Sequence, residues 1–509
     1  MKNRLPWVIA AMLCCTACHK SDDTPLSQFS TNKTGITLQG YIDALDSISI
    51  TSDGAWSLST PPSADWLQVS STKGSGSATV YVKNNKEIAG TAEEVTLTIT
   101  SADQRVPATS IKINRTPYFK KVFSQLASDN FHISFNSGVA TTDGGVIMVG
   151  TVFGTIPGRT EPQEEGIIAR FNSAGALQWK KLIGGSKADY LNKIVATSDG
   201  NYMIAGNTRS NDGTIENGNK GNFDYWITRI NDQGIIAWSR TYGGSGIDAA
   251  QSIAALSGGK CFFTGYSSSA GGQVGGSSDV NNKAWNIIVA PDGDLLSGFT
   301  IGETGNDLMG RHVIPTNDGK FLLIGNIGGG GPWRAWMAKC TPEGTILWQQ
   351  THGGYNNIDM GSGVVTNDGG YLVAGKAYNQ QTESMDILVI KTNAEGNQSW
   401  QKLFGGNMEE QGGALAIAPD GAYYLVATTQ SNDATVPGHH GGKDAWLLQL
   451  NAQGNKQWAK ALGGTLNDYA NTIIKTTDNK YLMGGTSTSN DGDLTGNGTF
   501  ESGWILKFE

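Results

Sequence analysis

The sequence predicts an all-β protein in two parts, a small β-sandwich followed by a ring of repeated four-stranded units. Glycine accounts for 69 of the 509 residues, close to twice the roughly 7% typical of globular chains. Tryptophan, tyrosine and phenylalanine number 14, 15 and 15. That combination indicates many tight turns between short aromatic-rich strands rather than disorder. An Asp-Gly motif also recurs through most of the chain.

The charge balance excludes nucleic acid as a partner. The chain carries 37 Lys and Arg against 45 Asp and Glu, a net charge of -8, and it has no run of basic residues. A nucleic acid needs a basic face to meet its phosphates.

Residues 1–17 have the layout of a secretion signal. Lys2 and Arg4 precede an apolar run over residues 5–15 and a small-residue site before Cys18. The run is too short for the ~20 residues of a membrane-spanning helix. It therefore predicts a signal rather than an anchor helix.

Thr16-Ala17-Cys18 resembles the lipobox of bacterial lipoproteins, with Cys15 where Leu is usual. The resemblance implies that Cys18 is diacylated and becomes the mature N-terminus. Residues 18–28 then form a tether, and Lys20 with the acidic pair at 22–23 resembles the surface-export tag of Bacteroidetes lipoproteins. We expect a lipid-anchored outer-membrane protein facing the cell exterior. The alternatives are an ordinary secreted protein and a tether that is merely polar.

Residues 29–115 predict an immunoglobulin-like β-sandwich. About 85 residues of short β-branched runs, separated by Gly, Asn and Asp turns, suit that fold. The runs lie at 48–51, 66–70, 78–82, 95–100 and 110–113.

Motifs within this segment resemble the BACON domain of Bacteroidetes. They include Trp-Ser-Leu at 56–58, Asp-Trp-Leu-Gln-Val-Ser at 65–70 and the strand at 79–85. The resemblance implies carbohydrate or mucin binding. Trp56 and Trp66 could then stack on sugar rings, because an aromatic face suits the apolar face of a pyranose. The alternative is that both rings pack in the core and the domain is a spacer.

Residues 117–509 predict a seven-bladed β-propeller. Seven Asp-Gly type turns occur 50 to 60 residues apart, and each repeat reads as four strands, which we name A, B, C and D. The segment ends after a C strand, and residues 118–123 look like a D strand that closes the ring from the N-terminal side. A linear β-solenoid is the alternative. The turns are at Asp143, Asp199, Gly258, Asp318, Asp368, Asp420 and Asp478.

These repeats resemble uncharacterised propeller repeats of secreted Bacteroidetes proteins. The closest motifs are Asp-Ala-Trp at 444–446 and Trp-x-Lys-x-x-Gly-Gly at 458–464. The resemblance implies the fold and no activity.

The B-to-C loops include four long, variable insertions, at 208–223, 267–283, 430–443 and 487–502. Binding sites usually lie on such loops. They share a face with the D-to-A turns, each of which carries a carboxylate. If all seven carboxylates face the channel mouth, they form an acidic ring that could bind a cation or a hydroxyl-rich ligand. Alternatively, each accepts backbone N–H bonds in its own turn. These residues are Asp129, Asp189, Asp248, Asp307, Asp359, Glu410 and Asp468.

Asp491, Asp493 and Thr495 resemble the start of a calcium loop, with oxygens at alternate positions before a glycine at the sixth. A polar Gly-rich turn is the alternative, and calcium is the only cofactor expected. The sequence holds no H-E-x-x-H, G-x-S-x-G or phosphate loop, so no catalytic residue is assigned.

We therefore expect a non-catalytic surface protein that binds a glycan or a protein through the top-face loops of its propeller. A glycoside hydrolase or lyase using the top-face carboxylates is the first alternative. A structural module of a larger surface assembly is the second.

Overall fold

The computed structural model describes residues 28–39, 44–86, 93–116, 122–126, 131–156, 162–275, 281–418, 420–433, 435–436, 438–493 and 501–508. Within these ranges the chain forms 37 strands and one 3-10 turn, Ser257–Gly259. The chain divides into two compact units, Met1–Tyr118 and Phe119–Glu509. Among the described residues, no helix has the length and apolar character needed to cross a membrane.

The first unit has two sheets, ordered β1-β3-β7-β5 and β2-β9-β8-β4-β6, which share one hydrophobic cluster. Alternation along β4 buries Trp56 and Leu58, and alternation along β7 buries Val80 and Val82, as expected for strands with one face in a core. The strands are β1 (Phe29–Thr31), β2 (Gly35–Gln39), β3 (Leu45–Ser52), β4 (Ala55–Ser59), β5 (Leu67–Val69), β6 (Lys73–Ser75), β7 (Ala78–Asn84), β8 (Glu93–Ser101) and β9 (Thr109–Thr116).

The second unit has seven four-stranded antiparallel sheets in its described residues. The first sheet contains β11 (Phe131–Ala140), β12 (Val146–Gly154), β13 (Gln163–Phe171) and β14 (Leu177–Ile183). The second contains β15 (Asp189–Ala196), β16 (Tyr202–Thr208), β17 (Asp224–Ile230) and β18 (Ile236–Tyr242). The third contains β19 (Asp248–Ala255), β20 (Cys261–Ser267), β21 (Lys283–Val289) and β22 (Leu295–Ile301).

The next three sheets are β23 (Asp307–Pro315), β24 (Phe321–Gly328), β25 (Arg334–Cys340) and β26 (Ile346–His352); β27 (Asn356–Val365), β28 (Tyr371–Asn379), β29 (Ser384–Thr392) and β30 (Gln398–Phe404); and β31 (Glu410–Ile417), β32 (Tyr423–Thr429), β33 (Asp444–Leu450) and β34 (Lys456–Leu462). The last sheet joins β35 (Asp468–Lys475), β36 (Tyr481–Ser487) and β37 (Ser502–Phe508) to β10 (Val122–Leu126).

The order of strands within each sheet is A-B-C-D, as the repeats predict, and the middle strands are buried throughout. All seven residues of β17 and of β37 are buried. Both faces of these strands are covered, so apolar residues occupy consecutive positions at their centres, at 225–227 in β17 and 504–506 in β37.

The sheets form a closed ring. Each A strand contacts the A strand of the next sheet, and β35 contacts β11. The closing pair joins β10 to β37, from Val122 opposite Lys507 to Leu126 opposite Gly503. The closing D strand is thus present, a few residues later than the predicted 118–123. This closed order is that of a β-propeller and excludes a linear solenoid.

Candidate functional site

Asp189 sits in a buried turn rather than at an open channel mouth. Its carboxylate accepts the backbone N–H of Gly185 at 2.6 Å and the hydroxyl of Ser210 at 2.9 Å. It also accepts the hydroxyl of Thr208, its partner across the strand pair. Burial raises the pKa of Asp189 to about 6.

Three other predicted carboxylates repeat this clamp, and all are fully buried. Each holds the Gly-Gly turn against the end of its own B strand, which corresponds to the second interpretation drawn from the sequence. The donors are Gly244, Ser267 and Ser269 for Asp248; Gly406, Thr429 and Ser431 for Glu410; and Gly464, Ser487 and Ser489 for Asp468.

Asp307 and Asp359 do not occupy this clamp position. In the four clamped sheets, the acid lies three residues before a β-bulge in the A strand, as Asp189 precedes Asn192. The same count from the bulges of β23 and β27 leads to Leu308 and Ile358, which are buried apolar residues. Of the six predicted carboxylates that the structure describes, four are therefore structural clamps, and Asp307 and Asp359 are not equivalent to them. Asp129 lies outside the described residues.

The bulge residues themselves face the central channel. Each A strand has a one-residue bulge near its middle, and β27 has a second irregularity near its start. Such bulges commonly re-aim a side chain. All seven bulge residues line one cavity of about 410 Å³. They are Asn136, Asn192, Gln251, Arg311, Gly361, Gly413 and Asn471.

The symmetry of this ring breaks at Arg311, Gly361 and Gly413. Arg311 places its Nε 3.6 Å from Oδ1 of Asp359. That same oxygen accepts the side-chain amide of Asn326 at 2.7 Å, and about half of the Asp359 side chain is exposed. The two glycines leave space where the other sheets place a side chain.

Basic residues dominate the ionisable lining of the cavity. The described lining includes three basic residues, Lys193, Arg311 and Lys376, and one carboxylate, Asp359. His312 lies beside them with its Nδ1 3.1 Å from the Ser252 hydroxyl. Burial, with repulsion from Lys193, lowers the pKa of His312 to about 3, so this imidazole is neutral at pH 7. Burial also lowers the pKa of Lys193.

Sequence reasoning missed Lys193, Arg311 and Lys376. A faint signal was available, because Asn or Gln stands three residues after the acid at 189–192, 248–251 and 468–471. Arg311 occupies the position that holds Asn or Gln in those repeats. Asp307 precedes Arg311 by four residues rather than three, so the sequence did not show this correspondence.

Trp56 and Trp66 are core residues of the first unit, with 4% and 1% of their surface exposed. The indole N–H of Trp56 donates to the Gly76 carbonyl at 2.9 Å. The Arg115 guanidinium lies 4.2 Å from the ring centre of Trp66. This burial corresponds to the core-packing alternative rather than to sugar stacking.

The predicted calcium loop is described only in part. Asp491 accepts the backbone N–H of Thr465 at 2.8 Å, and Asp493 lies 3.8 Å from His440. No set of three or more His, Cys, Asp or Glu side chains in the described ranges is grouped to hold a metal ion. Thr495 and the lipidation candidate Cys18 lie outside those ranges.

No protein-family model matches the chain. The regulatory protein FlaEY of Caulobacter vibrioides is 25% identical over 160 residues, or 27% of this chain. The match spans only 16% of that relative's length.

Similar solved structures include the Pan2 WD40 domain of Neurospora crassa, with 8% identity over 75% of this chain and 95% of that one and a TM-score of 0.44. The polysaccharide lyase Uly1 has 9% identity over 74% and 90% of the two chains and a TM-score of 0.41. A Bacteroides ovatus GH5 xyloglucanase is 18% identical over 23% and 22%, with a TM-score of 0.16. The β-propeller assignment rests on the ring of sheets described above.

Proposed function

We propose that this chain is a non-catalytic, lipid-anchored surface protein whose propeller binds a glycan or protein ligand at the mouth of its central channel. The seven sheets are seven blades, and the first unit is an immunoglobulin-like spacer. The observation that carries the proposal is the asymmetric polar cavity around Arg311, Asp359 and Gly361. Residues that recur at the same position in every sheet serve packing, whereas a ligand site is expected where one sheet carries a different residue at that position.

The cavity has the dimensions of a ligand site. Its volume of about 410 Å³ falls in the ~300–1,000 Å³ range of small-molecule pockets. Asp359 and Lys376 are paired across β27 and β28. Both lie at the strand ends that lead to the face of the B-to-C loops, so a ligand entering the channel also meets those loops.

The carboxylates favour binding over glycoside hydrolysis. Hydrolysis by either stereochemical route uses two carboxyl groups roughly 5 to 9.5 Å apart. The described lining of the cavity supplies one, Asp359. Asp189, Asp248 and Glu410 are occupied by their own turns.

A glycan-array and polysaccharide pull-down screen of the purified protein tests this function, with and without calcium, while released reducing ends are assayed. We expect binding without release. Release of sugar would identify an enzyme, and absence of any ligand would favour the structural-module alternative.

Loop-shortened variants locate the binding face. Deletions within 214–221 and 492–500 spare Thr208, Ser210, Ser487 and Ser489, which clamp the buried acids. We expect these variants to fold and to lose ligand. Unchanged binding would argue against this face.

Replacement of Cys18 by alanine tests the anchor. We expect the variant to lose fatty-acid labelling and to leave the membrane fraction. Retention of both properties would contradict lipidation at that residue.

A further inference from the structure

We propose that the channel cavity recognises an acidic sugar unit, whose carboxylate is held by Arg311, Lys193 and Lys376. This inference rests on the proposed function and specifies its ligand. It concerns one class, a uronic acid carried by a glycan.

Charge is the first argument. The protein as a whole is acidic, at -8, yet its channel cavity is lined by three basic side chains and one carboxylate. Arg311 has a buried Nε without a hydrogen-bond partner among the described residues. The Asp359 carboxylate is the counterion, but at 3.6 Å it is too distant for a hydrogen bond to that Nε. An incompletely paired buried cation is costly, and an anionic ligand would relieve that cost.

Lys193 and Lys376 are available for this role. Neither forms an ion pair or a side-chain hydrogen bond within the described residues. Arg311 is only partly neutralised, because its approach to Asp359 is 3.6 Å and Asp359 also accepts Asn326. An Arg and two Lys residues lining one cavity suit a planar carboxylate, which accepts charge-assisted hydrogen bonds.

The remainder of the lining suits sugar hydroxyls. Asn192 and Asn471 donate their amide N–H groups to the next blade, at 2.7 and 2.9 Å, which leaves their side-chain oxygens as acceptors. Gln251 supplies a further amide to the same cavity. A simple inorganic anion would contact only the basic residues, whereas a sugar acid would contact the basic residues through its carboxylate and the amide groups through its hydroxyls.

Gly361 provides the room. A Cβ added at Gly361 meets nothing within 4 Å, and its backbone is not in the left-handed region. A larger residue at this position would therefore enter the cavity without strain. Three other sheets have asparagine at the equivalent bulge position, which shows that a side chain of that size fits there.

Isothermal titration calorimetry of the purified protein tests the proposal. The probes are glucuronate and galacturonate, as monosaccharides and short oligomers, with glucose, galactose and sulfate as comparisons. The variants are Arg311→Gln, Lys193→Met and Gly361→Asn. Lys475→Gln is the matched control, because Lys475 is exposed on β35 and does not line the cavity.

We expect the uronates to bind more tightly than the neutral sugars. Loss of a charge-assisted hydrogen bond at Arg311 or Lys193 should weaken binding about tenfold or more. Gly361→Asn should block binding while the melting temperature stays unchanged, and Lys475→Gln should bind normally. The Gly361 variant keeps the test decisive if loss of Arg311 disturbs folding.

Preference for neutral sugars would overturn this inference and leave the proposed function standing. Absence of all saccharide binding in this titration would overturn this inference, whereas the proposed function, which includes a protein ligand, is decided by the array and pull-down screen. Sulfate binding as tight as uronate binding would overturn the sugar assignment, and an unsaturated sugar product would overturn the non-catalytic proposal.

Discussion

Asn471 donates its side-chain amide to the carbonyl of Phe135, 2.9 Å away, and so ties the last sheet of the ring to the first. Asn136 and Asn192 make the same bond to the next sheet along. In each case a bulge turns the side chain away from its own strand. The bulges at Arg311 and Gly361 depart from this pattern, so one ring combines residues that bond to the next sheet with positions that we propose to bind a ligand.

Asn471→Ala should lower the free energy of unfolding by about 1 kcal/mol, because it removes one inter-blade hydrogen bond. Denaturant unfolding measures this. Gln251→Ala is the matched control, since the Gln251 amide bridges no blades in the described structure. An equal loss in both variants would contradict the bridging role.

Removal of residues 1–126 should destabilise the propeller far more than removal of residues 1–116. The shorter deletion keeps β10, whereas the longer one exposes the edge of β37, and unpaired edge strands promote aggregation. Thermal melting and light scattering compare the two. Equal melting temperatures would show that the closing strand is dispensable.

Gly454→Ala should cost about 1 kcal/mol more than Gly319→Ala. Both glycines have positive φ, so both substitutions strain the backbone. A Cβ at Gly454 would lie 2.5 Å from the Trp400 ring, whereas one at Gly319 meets nothing within 4 Å. The difference in unfolding free energy therefore isolates overpacking against the tryptophan. No difference would mean that Trp400 moves freely.

Asp189 should make the protein less stable as pH rises from about 4 to about 6. Its folded pKa of about 6 exceeds the ordinary value of 3.8. In this window the folded state keeps a proton that the unfolded state has released, so stability falls with pH. Asp189→Asn should show a smaller fall over the same window in denaturant unfolding. A larger fall in the variant would show that the sign is wrong.

Much of the fold was predictable because each repeat of the sequence corresponds to one four-stranded sheet. Glycine turns and tryptophan strands mark each sheet, and the closing D strand followed from where the pattern starts. The position of that strand was less certain, because a single edge strand has neither a turn nor a partner pattern to fix its register.

The site was less predictable because bulges do not appear in the sequence. Asp307 and Asp359 were grouped with Asp189 by their proximity to Gly-Gly turns. The structure shows that an offset of one residue places a side chain in a different environment. Alternation in strands makes this a general limit, since register decides which face a residue occupies.

Pairing of β10 with β37 also constrains synthesis of the protein. Twenty-six strands, β11 to β36, lie between these two in the chain, so β10 emerges from the ribosome long before its partner. Contacts of such high sequence separation form slowly. Until its last strand arrives, the nascent propeller is therefore an open arc, and the unpaired strand edges of such an incomplete fold are prone to aggregation.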